Sequence, residues 1–147
     1  MKKVKLLLCM MSLAALGVLT ACDDDDGGSG GGGGGTNGVV APADLNDRTM
    51  NVTINSGTAP FAETGSYSIT FGPADSGTYS ISDADGAQVS DGTYTYTPGT
   101  DNTAVLVLQD SALGEIISNL TFDSATSGSM ESTDSTGGSE SSTFTLN

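Results

Sequence analysis

The chain has 147 residues, with 18 acidic side chains, four basic ones and no histidine. Binding to phosphate needs Lys and Arg, so this charge excludes nucleic acid as a partner. The lack of histidine removes the usual general base near neutral pH and the commonest transition-metal ligand.

Residues 1–21 have the order of a secretory signal peptide. Three lysines (Lys2, Lys3 and Lys5) precede an apolar stretch over residues 6–19, and small residues close the segment at Ala21. The apolar stretch is shorter than the ~20 residues that a membrane-spanning helix needs. We therefore expect export rather than permanent insertion of a helix.

The four residues Leu19-Thr20-Ala21-Cys22 resemble the lipobox of bacterial lipoproteins. The resemblance implies cleavage between Ala21 and Cys22, a diacylglyceryl group on the Cys22 sulfur and acylation of the new amine. Several acyl chains on one residue suit stable anchoring, because a single chain holds a protein to a bilayer only marginally. The expected location is a membrane of the bacterial cell envelope.

Residues 22–44 read as a lipidated, acidic and Gly-rich flexible linker. Four aspartates at 23–26 are followed by a nearly all-glycine stretch at 27–38, which cannot bury enough apolar surface to fold. The acidic run resembles two kinds of sorting signal, one for inner-membrane retention and one for export to the surface, and a solvated spacer is the plain alternative. A periplasm-facing and a surface position both remain open.

Processing would leave very little reactive chemistry in the chain. Arg48 would be the only basic residue, and Cys22 the only cysteine, because Cys9 lies in the signal segment. No disulfide could form within the domain, so it must fold on its core alone.

From residue 45 to 147 apolar residues alternate with Ser and Thr, which predicts strands with one buried and one wet face. A short template beginning at Gly65, Gly77 and Gly92 repeats at the spacing of strands in a meander. Eight strands are expected, near residues 48–55, 65–72, 77–83, 89–97, 103–109, 115–123, 128–134 and 140–146. The predicted fold is an all-β, antiparallel up-and-down barrel, with a β-sandwich as the alternative.

The expected core holds three phenylalanines, Phe71, Phe122 and Phe144, together with the four tyrosines. Residues 104–108 are nearly all apolar, which predicts cover on both faces of that strand. The tyrosines have a second interpretation, since a ring with a polar tip also suits a partly wet ligand pocket.

Several of these strands together resemble the small calycin-type β-barrels of exported bacterial proteins. The similar residues run from Gly92-Thr-Tyr-Thr-Tyr to Ala104-Val-Leu-Val-Leu, and then include Leu120-Thr-Phe and Ser127-Gly128. Calycins mostly bind small apolar ligands inside the barrel, so the resemblance implies a carrier of such a ligand.

The segment Asp83-Ala84-Asp85-Gly86 places two carboxylates beside a turn glycine. Calcium prefers oxygen ligands, and Asp91 is a further carboxylate that could complete a site through space. The same residues are good turn formers, so a hairpin turn is the other interpretation. A calcium-assisted adhesion module is accordingly one hypothesis.

No residues suited to catalysis stand out. An ordinary activated serine needs a histidine or lysine beside it, and the acids are scattered, mostly in turns. The sequence therefore predicts a membrane-anchored, non-enzymatic envelope lipoprotein whose β-domain binds a partner or has a structural role. A carrier of a small apolar ligand is the alternative, and a hollow interior would favour it.

Overall fold

A computed structural model describes residues 38–147. The signal segment 1–21, the lipidation site Cys22 and residues 22–37 of the expected linker lie outside the described residues. Within the described part, no helix is long and apolar enough to cross a membrane.

Eight β-strands make up almost all of the described chain, and each lies within a few residues of its expected position. They are β1 (Thr49–Gly57), β2 (Gly65–Phe71), β3 (Thr78–Asp83), β4 (Gln88–Pro98), β5 (Thr103–Asp110), β6 (Gly114–Ser124), β7 (Ser127–Asp134) and β8 (Ser139–Leu146).

The strands form one closed barrel in which each pairs antiparallel with its neighbours in sequence. The barrel closes between β1 and β8, with Met50 opposite Leu146 and Val52 opposite Phe144. The prediction of an all-β up-and-down barrel is confirmed, and the sandwich alternative is wrong. Closure pairs every strand on both sides, so no strand edge is left exposed.

Alternate residues face the interior, as the period of two requires. On β6, for example, Ile116, Ser118, Leu120 and Phe122 are buried, whereas the residues between them are exposed. The expectation that residues 104–108 are covered on both faces is wrong for Val105, which is 39% exposed on the outside. In a single-layered barrel the outer face of β5 has no second layer to cover it.

Residues 39–46 cross one end of the barrel, and we call this segment the plug. Leu45 is fully buried and Ala41 nearly so. Tyr96 donates a hydrogen bond to the carbonyl of Pro42 (3.0 Å), and Tyr94 donates to Oδ1 of Asn46 (3.0 Å). The packed chain thus begins before residue 45, because the end of the barrel that the plug crosses needs an apolar cover that the strands alone do not provide.

The four tyrosines lie on the interior face, but only Tyr79 is fully buried, while the other three are partly buried. The three phenylalanines are all buried. Phe122 packs edge-on against Phe144 with ring centroids 5.2 Å apart, and Phe71 packs in the same way against Tyr94 at 4.8 Å. The predicted aromatic core is therefore present, concentrated toward the plug.

The barrel is complete within residues 38–147. Its core, its closed hydrogen-bond ladder and its plug all come from this segment. Residues 38–147 therefore contain what the barrel needs to fold alone.

We expect Leu45→Ala to lower the free energy of unfolding of residues 38–147 by about 2–5 kcal/mol, because it leaves a cavity under the plug. Val40 is also apolar and in the plug, but it is 61% exposed, so Val40→Ala should change stability by less than about 0.5 kcal/mol. Urea unfolding followed by circular dichroism measures both. Equal effects of the two substitutions would show that the plug is not packed as described.

Candidate functional site

The end of the barrel opposite the plug holds a cavity of about 360 Å³. We call this the open end, where the loops at residues 58–64, 84–87, 111–113 and 135–138 join the strands. Exposed residues such as Ala62, Thr64 and Ala112 form part of its rim, so the cavity opens to solvent. Its wall is mainly apolar and includes Ile54, Ile69, Ile81, Leu108, Ile116 and Met130.

The cavity exists because interior positions near the open end carry small residues. Ser118 on β6 and Ser132 on β7 line the cavity, whereas the inward positions of β6 nearer the plug carry Leu120 and Phe122. Their hydroxyls hydrogen-bond each other at 2.8 Å, so neither oxygen is left without a partner in the wall. An eight-stranded barrel is just wide enough to be filled by large side chains or to hold one small ligand.

Three aspartates near the open end are turn caps. Asp83, Asp110 and Asp134 are the last residues of β3, β5 and β7, and each accepts hydrogen bonds from backbone amides of the following turn. Asp side chains commonly stabilise turns in this way. These carboxylates therefore have a structural explanation, although two of them also border the cavity.

Both carboxylate oxygens of Asp110 accept hydrogen bonds from the protein. Its Oδ2 accepts hydrogen bonds from Tyr79 (2.7 Å) and Ser90 (2.6 Å), and its Oδ1 accepts from the amides of Ala112 and Leu113. Burial alone would raise the pKa of Asp110, but the four hydrogen bonds outweigh it and hold that pKa below its usual value. Burial and the bond to Asp110 raise the pKa of Tyr79, which therefore keeps its proton.

Glu140 is the interior acid that no turn explains. It lies near the start of β8, is 2% exposed and lines the cavity. Its Oε1 accepts a hydrogen bond from the Tyr67 hydroxyl at 2.9 Å, and the Ser142 hydroxyl lies near enough to the carboxylate to favour its charged form. The neighbouring Ser142 hydroxyl donates to the carbonyl of Met130 (3.4 Å). Burial raises the pKa of Glu140, although the Tyr67 and Ser142 hydroxyls act in the opposite direction.

The cavity has no positive charge of its own among the described residues. Arg48, the only basic residue in that part of the chain, lies at the other end, where its carbonyl accepts from the Phe71 amide beside the plug. The residues that enclose the cavity therefore present carboxylates, hydroxyls and apolar groups, but no cation.

The candidate calcium ligands do not form a common site. Oδ1 of Asp83 accepts hydrogen bonds from the amides of Asp85 (3.0 Å) and Ala87 (2.9 Å), as in the hairpin-turn interpretation. Asp91 lies on β4 and is exposed. Among residues 38–147 no group of three or more acidic, Cys or His side chains could hold a metal ion.

The sequence interpretation missed Glu140 and Asp110 as interior residues, because it placed the acids mostly in turns and found no pair in an apolar setting. A usable signal was present. Glu140 is in phase with the inward residues Phe144 and Leu146, and Asp110 is in phase with Leu106 and Leu108. An acid in the inward phase of a strand indicates either a turn cap or a buried carboxylate.

Comparison with known proteins adds no relative to this description. No protein-family model, no curated protein and no solved structure matches the chain.

We expect Asp110→Asn to lower the free energy of unfolding by about 1.5–3 kcal/mol at pH 7, since hydrogen bonds to a charged acceptor are lost or weakened. The folded-state pKa is lowered, so the stabilisation is complete above the unfolded pKa of about 4 and is lost as pH falls through the folded value. Urea unfolding between pH 7 and pH 3 should show that the difference in free energy of unfolding between the wild type and Asp110→Asn becomes smaller as the pH falls. Asp123→Asn, at an exposed position on β6, is the charge-matched control. A difference between the wild type and Asp110→Asn that does not change with pH would contradict this role of the Asp110 hydrogen bonds.

Proposed function

We propose that this protein is a lipid-anchored binding protein of the bacterial envelope, whose barrel takes up a small, mainly apolar molecule at its open end. The observation that carries the proposal is the cavity of about 360 Å³ with a largely apolar wall. Ligand pockets usually measure about 300–1,000 Å³ and combine such walls with a few polar groups. A barrel with a purely structural role would be expected to fill its interior at both ends.

The positions of the plug and of the cavity mouth at opposite ends of the barrel are consistent with anchoring through the N-terminal segment. The described chain enters at the plug, where Gly38 and Val39 lie against the loop between β4 and β5. The last strand, β8, also ends on that side, at Leu146. The cavity opens at the opposite end, so an anchor that precedes the plug would leave the mouth unobstructed.

A non-enzymatic role remains part of the proposal. A pair of carboxylates with pKa values shifted in opposite directions is one way to build an acid–base site, and Glu140 and Asp110 have such shifts. Asp110, however, accepts four hydrogen bonds from the protein and so has little capacity left for substrate or water. Binding uses the cavity without requiring a second free carboxylate.

The anchoring part of the proposal predicts that Cys22 carries the lipid. In a bacterial host given labelled palmitate, the wild-type chain should incorporate label and Cys22→Ser should not, because the acyl acceptor is gone. Cys9→Ser removes the other cysteine and should still be labelled, since that residue lies in the segment expected to be cleaved. Persistent labelling of Cys22→Ser would disprove lipidation at this position.

The binding part predicts that residues 38–147 enhance the fluorescence of N-phenyl-1-naphthylamine, an apolar dye, in aqueous buffer. Ser132→Leu places an apolar side chain into the cavity and should weaken dye binding at least ~10-fold, as the lost contacts would amount to about 1.4 kcal/mol or more. The adjacent Thr133 points outward and is exposed, so Thr133→Leu is the matched control and should bind as the wild type does. Equal loss in both variants, or no binding by the wild type, would count against a binding cavity.

A further inference from the structure

Glu140 is the most deeply buried carboxylate that lines the cavity. Both oxygens of Asp110 accept hydrogen bonds, and Oδ1 of the half-buried Asp83 accepts from its turn amides. The Glu140 carboxylate is more deeply buried than that of Asp83 and accepts from the Tyr67 hydroxyl at Oε1. Among the described residues, no sealed side-chain oxygen or nitrogen lacks a hydrogen-bond partner. Oε2 is therefore not sealed in the wall, and it borders the cavity that Glu140 lines.

A buried carboxylate without a positive partner is unfavourable, because the protein interior solvates charge poorly. The residues around this cavity supply no cation, and Arg48 lies beside the plug. Two events would relieve the charge of Glu140: uptake of a proton, or arrival of a ligand that carries its own positive charge. Burial favours the first event, because it raises the pKa of Glu140.

Building on the binding function proposed above, we infer that the cavity takes a cationic amphiphile, a small apolar molecule whose ammonium group pairs with Glu140. The apolar body would lie against the wall formed by Ile69, Leu108 and Met130. The Tyr67 hydroxyl, by holding Oε1, orients the carboxylate so that Oε2 faces the ammonium.

The charge of the site also disfavours the opposite class of amphiphile. A ligand carboxylate in this cavity would meet Glu140, Asp83 and Asp110 without any compensating cation. The chain as a whole has 18 acidic and four basic residues, so its field attracts cations and repels anions. The volume is near the lower end of the usual range for ligand pockets, which restricts the ligand to a short chain or a small ring system.

The test compares three ligands with the same alkyl chain: n-octylamine, n-octanol and octanoate. Each competes with bound N-phenyl-1-naphthylamine on residues 38–147 at pH 7.5, where an alkyl ammonium, like that of Lys, is protonated. We expect octylamine to bind at least ~10-fold more tightly than octanol, and octanoate to bind most weakly.

Two matched variants assign the preference to a residue. Glu140→Gln keeps the size of the side chain and an acceptor for Tyr67 but removes the charge, so octylamine and octanol should bind about equally. Glu115→Gln removes one charge from an exposed position on β6, outside the cavity, and should keep the wild-type preference for the amine. Retention of that preference by Glu140→Gln would overturn the role of Glu140.

A pH series on the wild type keeps the test decisive if Glu140→Gln does not fold. Octylamine affinity should fall as pH decreases from 7.5 toward the pKa of Glu140, which burial raises above the ordinary value of a glutamate, because protons compete for the carboxylate. Octanol affinity should stay constant. Tyr67 faces Glu140, and the acids at the strand ends around it are Asp83, Asp110 and Asp134. Glu63, Asp85 and Glu115 are exposed at the same end. Hydrogen bonds from Thr136 and the turn amides lower the pKa of Asp134, and that of Asp110 is lowered too, so both stay charged in this range. Glu115→Gln, outside the cavity, should leave the profile unchanged.

The possible results separate this inference from the function on which it rests. If octanol binds the wild type as tightly as octylamine, or if the amine profile is flat with pH, the ammonium ligand is disproved while binding of apolar molecules stands. If neither the dye nor any octyl ligand binds, the proposed binding function fails as well.

Discussion

Pairing between β1 and β8 is the constraint on which the rest of the structure depends. It turns a meander of eight strands into a closed ladder, in which every strand is paired on both sides. Once the ladder is closed, every second residue of every strand must face one shared interior. The content of the barrel is then set by which residue types occupy the inward phase at each level.

Those levels differ sharply along the barrel. Toward the plug the inward positions carry Phe71, Phe122 and Phe144, whose edge-to-face packing fills the space, and Leu45 closes the end. Toward the open end the inward positions include serines, which leave a cavity whose apolar wall is still continuous with the core. One barrel therefore has a packed half and a half that contains a cavity.

Interior carboxylates follow the same division of roles. Asp110 and Asp134 cap turns, and their hydrogen bonds lower the pKa of each despite burial. Glu140 accepts from the Tyr67 hydroxyl rather than from turn amides, and burial raises its pKa. A charge buried in a cavity without a cation is unfavourable, and a ligand with a positive group would offset that cost.

The sequence by itself determined the number, order and approximate bounds of the strands, because the period of two and the turn-forming segments are local properties of the chain. It also determined which residues share a face, so the burial of Phe122 and Phe144 followed from their phase. Only the tertiary structure decided between barrel and sandwich, since that choice depends on whether β1 and β8 meet across the whole domain. The same holds for the plug, for the exposure of Val105 and for the opposite fates of Asp110 and Glu140. Each of these depends on distances between residues far apart in the chain, and a local pattern carries no information about them.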